Sequence, residues 1–311
     1  MQSPERLGGR PGVWLHATRP RTLPLGLASI IMGTGIAIAS GWFRPWVAVL
    51  CVLTACILQI LSNLANDYGD SLHGADLGDR KGPRRAVQSG LVTAGQMRRA
   101  IIVAAALAIG SGVALLWLAF GDRALSLTVL FILIGGAAVA AAITYTAGRK
   151  PYGYAGLGDL AVLIFFGWVG VFGSYFVQTS LFTPAVFLPA TSCGLLAVAV
   201  LNINNIRDME SDAKAGKNSV PVRLGLQRAR VYHWILLLAA VGIALAFVLL
   251  HFTSIWQLLL LLCLPLVCQN GLAVWRVADL SSLNPWLKQM SMTTLLFSVL
   301  FSAGMIIPAI L

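Results

Sequence analysis

Charge is what this sequence lacks. Only 11% of its 311 residues are charged, against roughly 25% in a soluble domain. So few charges cannot cover the surface of a water-soluble fold, and the mean hydropathy of +0.82 makes a membrane the fitting solvent. Cysteine is also sparse. Cys51, Cys56, Cys193, Cys263 and Cys268 all lie in apolar stretches, none forms a C-x-x-C pair, and the four histidines are scattered. That spacing argues against a disulfide framework and a soft-metal site, and leaves the cysteines as small apolar packers. Low-complexity tracts and a separate soluble unit are absent too, so 1–311 reads as one domain, with 1–21 a segment ahead of the first span.

What is present is apolar sequence in long runs. A spanning helix needs about 20 mostly apolar residues, and nine such stretches occur: 22–41, 46–66, 99–120, 124–146, 156–178, 184–206, 231–251, 254–275 and 290–310. The first follows Arg19 and Arg21 and ends in small residues, as a signal peptide does. Its length, and the similar spans that follow, favour a retained first helix. Pro45 and Pro184 stand where helices start well. The fold expected is an all-α integral membrane protein with nine transmembrane helices. The connections 67–98 and 207–230 are long and polar.

Basic residues set the orientation. With a cytoplasmic N-terminus, the inner segments are 1–21, 67–99, 147–155, 207–230 and 276–289, and every Lys and Arg except Arg44 and Arg123 falls on them. Such an excess marks the cytoplasmic face. The net charge of +11 is therefore a property of one face. It suits anionic lipid or an anionic substrate, and nothing calls for nucleic acid.

The acids follow no such rule, yet they cluster. Asp67, Asp70, Asp76, Asp79, Asp208, Glu210 and Asp212 lie in the two long inner connections or at their helix ends. At 100° per residue, Asn63, Asp67 and Asp70 fall within about 60° on a helix, and Asn204, Asp208 and Asp212 within about 80°. Each helix end thus offers two carboxylates and an amide on one strip. Two facing strips make an oxygen-only site, suited to Mg²⁺ bridged by a diphosphate, with Arg80, Lys81, Arg84, Arg85, Lys214, Lys217 and Arg223 nearby for the remaining charge. Ionisable groups at a membrane edge also fit a cation-coupled transporter. Their placement at helix ends on one face favours a site open to cytoplasmic Mg²⁺.

These residues resemble a known family. The N-D-x-x-D run at Asn66–Asp70 and the D-x-x-x-D run at Asp208–Asp212 look like the paired signatures of the UbiA superfamily of intramembrane prenyltransferases. The segments RPRTLPLGLASIIMGTG, LSNLANDYGD, AAITYTAGRKPYGYAGLGDLAVLIFFG and LNINNIRDMESDAKAGKNSVPVRLG are similar to its menaquinone-pathway branch, the 1,4-dihydroxy-2-naphthoate prenyltransferases. The likeness runs from about residue 14 to 230, and more loosely to the end. Gly74-Ala-Asp76 resembles the G-x-D of that branch, where the wider superfamily has a further acid at position 74. The family's Y-x-x-x-K element is represented by Tyr145 with Arg149 in the Lys position and Lys150 one later.

The resemblance implies nine helices around a central cavity in a bacterial inner membrane. It implies transfer of a polyprenyl group from its diphosphate to 1,4-dihydroxy-2-naphthoate, with loss of CO₂. Another aromatic acceptor such as 4-hydroxybenzoate is the alternative within the family. Asp67, Asp70, Asp208 and Asp212, with Asp76, are expected to hold two or three Mg²⁺ ions. Asn63, Asn66, Arg84, Arg149, Lys150, Lys214 and Lys217 are expected at the diphosphate, and Tyr145 joins the acids in the catalytic set. Asp159, Tyr154 and Asn204 are candidates for acceptor contact, although Asp159 fits equally as a cap. Phe165, Phe166 and Trp168 can supply ring faces to an allylic cation, or simply pack between helices. Trp42, Trp46, Trp256 and Trp286 read as an aromatic belt.

Overall fold

The computed structural model describes residues 9–73, 85–121 and 124–311. Among them, nine helical spans are long and apolar enough to cross a membrane: α1 (Gly12–Ala39), α2 (Pro45–Leu72), α3 (Ala94–Phe120), α4 (Leu125–Thr144), α5 (Gly158–Thr179), α6 (Pro184–Arg207), α7 (Leu226–Leu250), α8 (Ile255–Arg276) and α9 (Leu280–Ile310). Their outer surface carries large exposed apolar side chains, including Ile102, Leu107, Trp117, Leu133, Leu238 and Leu249. Water would not tolerate such a belt, whereas acyl chains do. The protein is a multi-pass membrane protein.

Local chemistry sets several helix ends. Pro45 and Pro184 open α2 and α6, as expected, because proline lacks the N–H that a first turn leaves unpaired. A reciprocal pair opens α3: Thr93 Oγ1 accepts from Gln96 N at 3.2 Å, and Gln96 Oε1 accepts from Thr93 N at 2.9 Å. Arg44, one of two cations outside the expected inner segments, sits in the α1–α2 connection. Its guanidinium donates to the terminal carbonyls of α3 at Leu118 and Ala119.

Three boundaries differ most from hydropathy. α2 stays helical to Leu72, so Asp67 and Asp70 lie within a helix rather than in a loop. α1 begins before residue 22 and is interrupted at Arg19, whose φ of 49° is left-handed. α9 starts about ten residues early. In the first two cases polar residues line an interior cavity, so a polar stretch need not leave the bundle.

The helices alternate in direction, with the acidic termini of α2 and α6 at one end. α9 packs along α1, α6 and α8; α6 packs on α5 and α7. α4 leans on α2 and α3 and contains no fully buried residue. A cavity of about 380 Å³ lies between these groups, walled by α1, α2, α4, α5 and α6. Along α2 it extends from Asp70 to Cys51, about 28 Å at 1.5 Å per residue. Its deep end meets Phe131, which stacks on Phe176 at 5.4 Å. Within α5, Leu163–Phe172 is wound as a π-helix. Phe165 and Phe166 face the cavity, whereas Trp168 turns outward and donates to Thr191 Oγ1 at 3.0 Å. Of the two readings for Trp168, packing between helices is therefore the one that fits.

Candidate active site

The polar mouth of the cavity is assembled by the connection after α4. Thr146 seats on α2, donating to Ala65 O at 3.1 Å. The approach is close: a Cβ on Gly69 would stand 2.5 Å from the Thr146 backbone, so glycine permits it. Further on, Tyr154 OH donates to Asp70 Oδ1 at 3.1 Å, and Tyr154 O accepts from Asn218 N at 3.0 Å. One loop thus ties the α2 end to the segment after α6, and the two acidic ends meet.

Each carboxylate there has its own compensation. Asp70 pairs with Arg85, and both are buried. Asp67, 1% exposed, accepts from the backbone N–H groups of Ala86 (3.0 Å) and Val87 (3.2 Å), and so holds the segment that carries Arg85. Asp208 is held by its neighbour: Arg207 Nε donates to Oδ1 at 2.8 Å and Nη2 to Oδ2 at 2.6 Å. Arg207 also reaches Asn204 Oδ1 and, on α9, Asn284 Oδ1. Asp212 lies 3.2 Å from Lys217 Nζ.

Crowding shows in the proton affinities. Burial pushes the Asp212 carboxyl above its ordinary range, with Asp208 and Asp70 adding to the effect and Lys217 opposing it. Burial works against the charge on Lys217, but Asp212 and Asp70 outweigh it and hold the ammonium protonated. Burial pushes the Tyr145 hydroxyl up to about 12, so it stays a neutral phenol at the cavity wall.

The expected residues separate into groups. Asn63, Asn66, Asp70, Tyr145, Asn204 and Lys217 line the cavity. Asp67, Asp208 and Asp212 stand behind that lining and pair as described. Arg149, Lys150 and Lys214 are exposed. Tyr154 faces Asp70, while Asp159 accepts from Tyr232 OH at 2.8 Å. Neither lines the cavity. Asp76 and Arg84 lie outside the described residues. The cavity also takes Arg19, Arg21, Arg85 and Gln59. Arg85 was visible in sequence as one cation among many. The other three gave no signal, because an N-terminal arginine reads as orientation and a mid-helix glutamine as packing.

The donor set suits a hard divalent cation. Among the described residues, no three His, Cys, Asp or Glu side chains form a closed metal cage. Buried oxygens stand nearby: among the described residues Asn205 Oδ1 has no hydrogen-bond partner, and Asp212 Oδ2 meets the Lys217 ammonium at 3.2 Å. Mg²⁺ characteristically takes one or two carboxylates and completes its shell with water and substrate phosphate. An all-oxygen, incomplete site is what that habit requires.

Known proteins share this architecture. A 1,4-dihydroxy-2-naphthoate octaprenyltransferase of Escherichia coli K12 is 48% identical over 295 residues, covering 95% of each chain. The apo structure of a UbiA homologue from Aeropyrum pernix K1 superposes with a TM-score of 0.66 at 20% identity, over 91% of this chain and 97% of that one. A UbiA homologue from Archaeoglobus fulgidus bound to GPP and Mg²⁺ gives 0.60 at 18% identity, over 92% and 98%. The model of the UbiA prenyltransferase family matches residues 27–301. With that match across most of its length, the chain belongs to the UbiA prenyltransferase family.

Proposed function

We propose that this protein transfers a polyprenyl group from its diphosphate to 1,4-dihydroxy-2-naphthoate, with release of diphosphate and CO₂. The observation that carries the reading is the meeting of Asp70, Asp212, Arg85 and Lys217 at one mouth of a long apolar cavity. A substrate with a charged head and a greasy tail matches that polarity. The relative from Escherichia coli, nearly half identical over almost its whole length, supports the acceptor.

Asp70, Asp208 and Asp212 would hold Mg²⁺, with the cavity-lining Asn66 and Asn204 in support. When bound, the metal neutralises charge on the departing diphosphate. Arg85 and Lys217 take the head group's remaining charge. Asp67 acts by anchoring the Arg85 segment. The C–O bond breaks with its electron pair leaving on diphosphate, and the electron-rich ring attacks the allylic carbon. Tyr145, Phe165 and Phe166 face the cavity and stabilise the cation by their π faces while excluding water. The excess of Lys and Arg on the segments at that end supports a cytoplasmic acidic end and N-terminus in a bacterial inner membrane.

Purified protein incubated with a polyprenyl diphosphate, Mg²⁺ and candidate aromatics is expected to yield prenylated, decarboxylated naphthalenediol by mass spectrometry. A product only from 4-hydroxybenzoate would transfer the assignment within the family. No product from any aromatic would end it.

A further inference from the structure

The first helix is broken where the cavity begins. Pro20 lacks an N–H and disfavours helical geometry in the residue before it, and Arg19 takes a left-handed conformation, φ 49° and ψ 64°. A residue with a side chain keeps that conformation only where surrounding contacts hold it. Here the backbone makes them. Arg19 N donates to His16 O at 3.2 Å, and Arg19 O accepts from Thr22 N at 2.9 Å. Asn63 Nδ2 on α2 donates to Thr18 O at 2.9 Å, and Ser291 Oγ on α9 donates to Arg21 O at 3.3 Å. The turn is clamped between two helices by bonds that use neither guanidinium.

The break changes where two arginines go. On an unbroken helix Arg19 and Arg21 would stand about 160° apart, and a single cavity would receive only one of them. Here both line the cavity, with Arg19 half-buried and Arg21 exposed, so a ligand inside can reach them. Membrane orientation asks only that arginines lie on the inner side. It does not ask for a strained turn that brings two of them to one wall.

Among the described residues, four cations line the cavity: Arg19, Arg21, Arg85 and Lys217. Arg85 and Lys217 pair with Asp70 and Asp212, at the helix ends that would hold metal and diphosphate. Arg19 and Arg21 come from another element, seated at Asn63, about one turn inside Asp67. The reaction brings a second anion into this space. The aromatic acceptor carries a carboxylate, which the diphosphate and the Asp carboxylates would repel. A guanidinium has five N–H donors in a planar fork, which fits a carboxylate by two parallel bonds and leaves donors for other partners.

We propose that the Arg19–Arg21 turn binds the carboxylate of the aromatic acceptor, and so selects acceptors that carry one. This rests on the naphthoate reading above and adds the residues that recognise its acid group. A ring anchored at the level of Asn63 lies beside the allylic carbon released at the mouth.

The test uses the full chain in detergent and isothermal titration, with Mg²⁺ and an inert thiolo analogue of the prenyl diphosphate bound. Two ligands are compared: 1,4-dihydroxy-2-naphthoate and its 2-carboxamide, which keeps the ring and both hydroxyls but carries no charge. Wild-type protein is expected to bind the acid about tenfold or more tightly than the amide. The double variant Arg19→Gln, Arg21→Gln should bring the acid down to the level of the amide, with the amide and the thiolo analogue bound as in wild type. A variant that keeps the wild-type ratio overturns the proposal. So does one that unfolds at the wild-type temperature yet loses the thiolo analogue, which would give both arginines to the diphosphate. Should the double variant unfold early, Arg21→Gln alone is judged by the same ratio. Wild-type protein that binds acid and amide equally also overturns the proposal but leaves the naphthoate reading standing. Wild-type protein that binds the thiolo analogue and neither ring compound defeats that reading itself.

Discussion

The two acidic helix ends reach one cavity by different means. At the end of α6, Asp208 and Asp212 are neutralised by Arg207 and Lys217, partners one and five residues away in sequence. At the end of α2, Asp67 and Asp70 are served by residues 85–87, reached across a segment of the chain, and by Tyr154 from beyond α4. The α6 end is thus nearly self-contained, while the α2 end exists only after three parts of the chain have folded together. It follows that the α6 side acts as a preformed half-site, buttressed by Arg207 on Asn284 of α9. The α2 side is the half that tertiary contacts complete.

Removing the divalent ion acts on both halves at once, so it should have the largest effect. Excess EDTA is expected to abolish product formation and Mg²⁺ to restore it; turnover that persists in EDTA would refute a metal-dependent mechanism. Single carboxylates come next. Asp70→Asn and Asp208→Asn should each lower kcat by about a hundredfold or more, comparable to losing a key electrostatic group elsewhere. Thermal unfolding in detergent should remain near wild type. If only one variant loses activity, the two ends do not share a ligand.

Asp67→Asn sharpens the contrast. Its carboxylate bonds to loop amides rather than to the cavity, so an amide oxygen can keep one of the two bonds. We expect a smaller loss than for Asp70→Asn, seen mainly as a higher KM for the prenyl diphosphate through a loosened Arg85. A loss equal to that of Asp70→Asn would instead make Asp67 a direct metal ligand.

The smallest effect concerns pH and the second end alone. Asp212 holds its proton to higher pH than an ordinary carboxyl, and a proton competes with a divalent ion for it. The Mg²⁺ concentration for half-maximal rate should therefore rise a few-fold as pH falls from neutral to mildly acidic. Lys217→Met removes a cation that keeps Asp212 ionised, and should move this rise to higher pH. A Mg²⁺ requirement independent of pH in both proteins would disconnect Asp212 from the metal.

The nine spans were legible because burial in lipid demands long apolar runs, a property of composition and length alone. The acid pairs were legible because helical periodicity puts i, i+3 and i+4 residues on one strip. Their ends were less so: hydropathy stops α2 at residue 66, whereas cavity-facing polar residues carry it to Leu72. Cations were least legible. The positive-inside pattern and a diphosphate site ask for the same residue types in the same segments, so local sequence does not separate Lys217 from Lys214, or Arg85 from Arg149 and Lys150.

The sequence by itself determined a membrane-spanning helical chain, its family and its two acidic clusters, because these depend on composition and spacing along one strand of covalent bonds. Only the tertiary structure decided that Asp67 anchors a loop, that Arg85 and Lys217 are among the cations lining the cavity, and that Arg149, Lys150 and Lys214 stay outside it. Each of those depends on which groups meet through space. A hydrogen bond or ion pair is made or lost over about an ångström, a distance that no pattern of neighbours in sequence encodes.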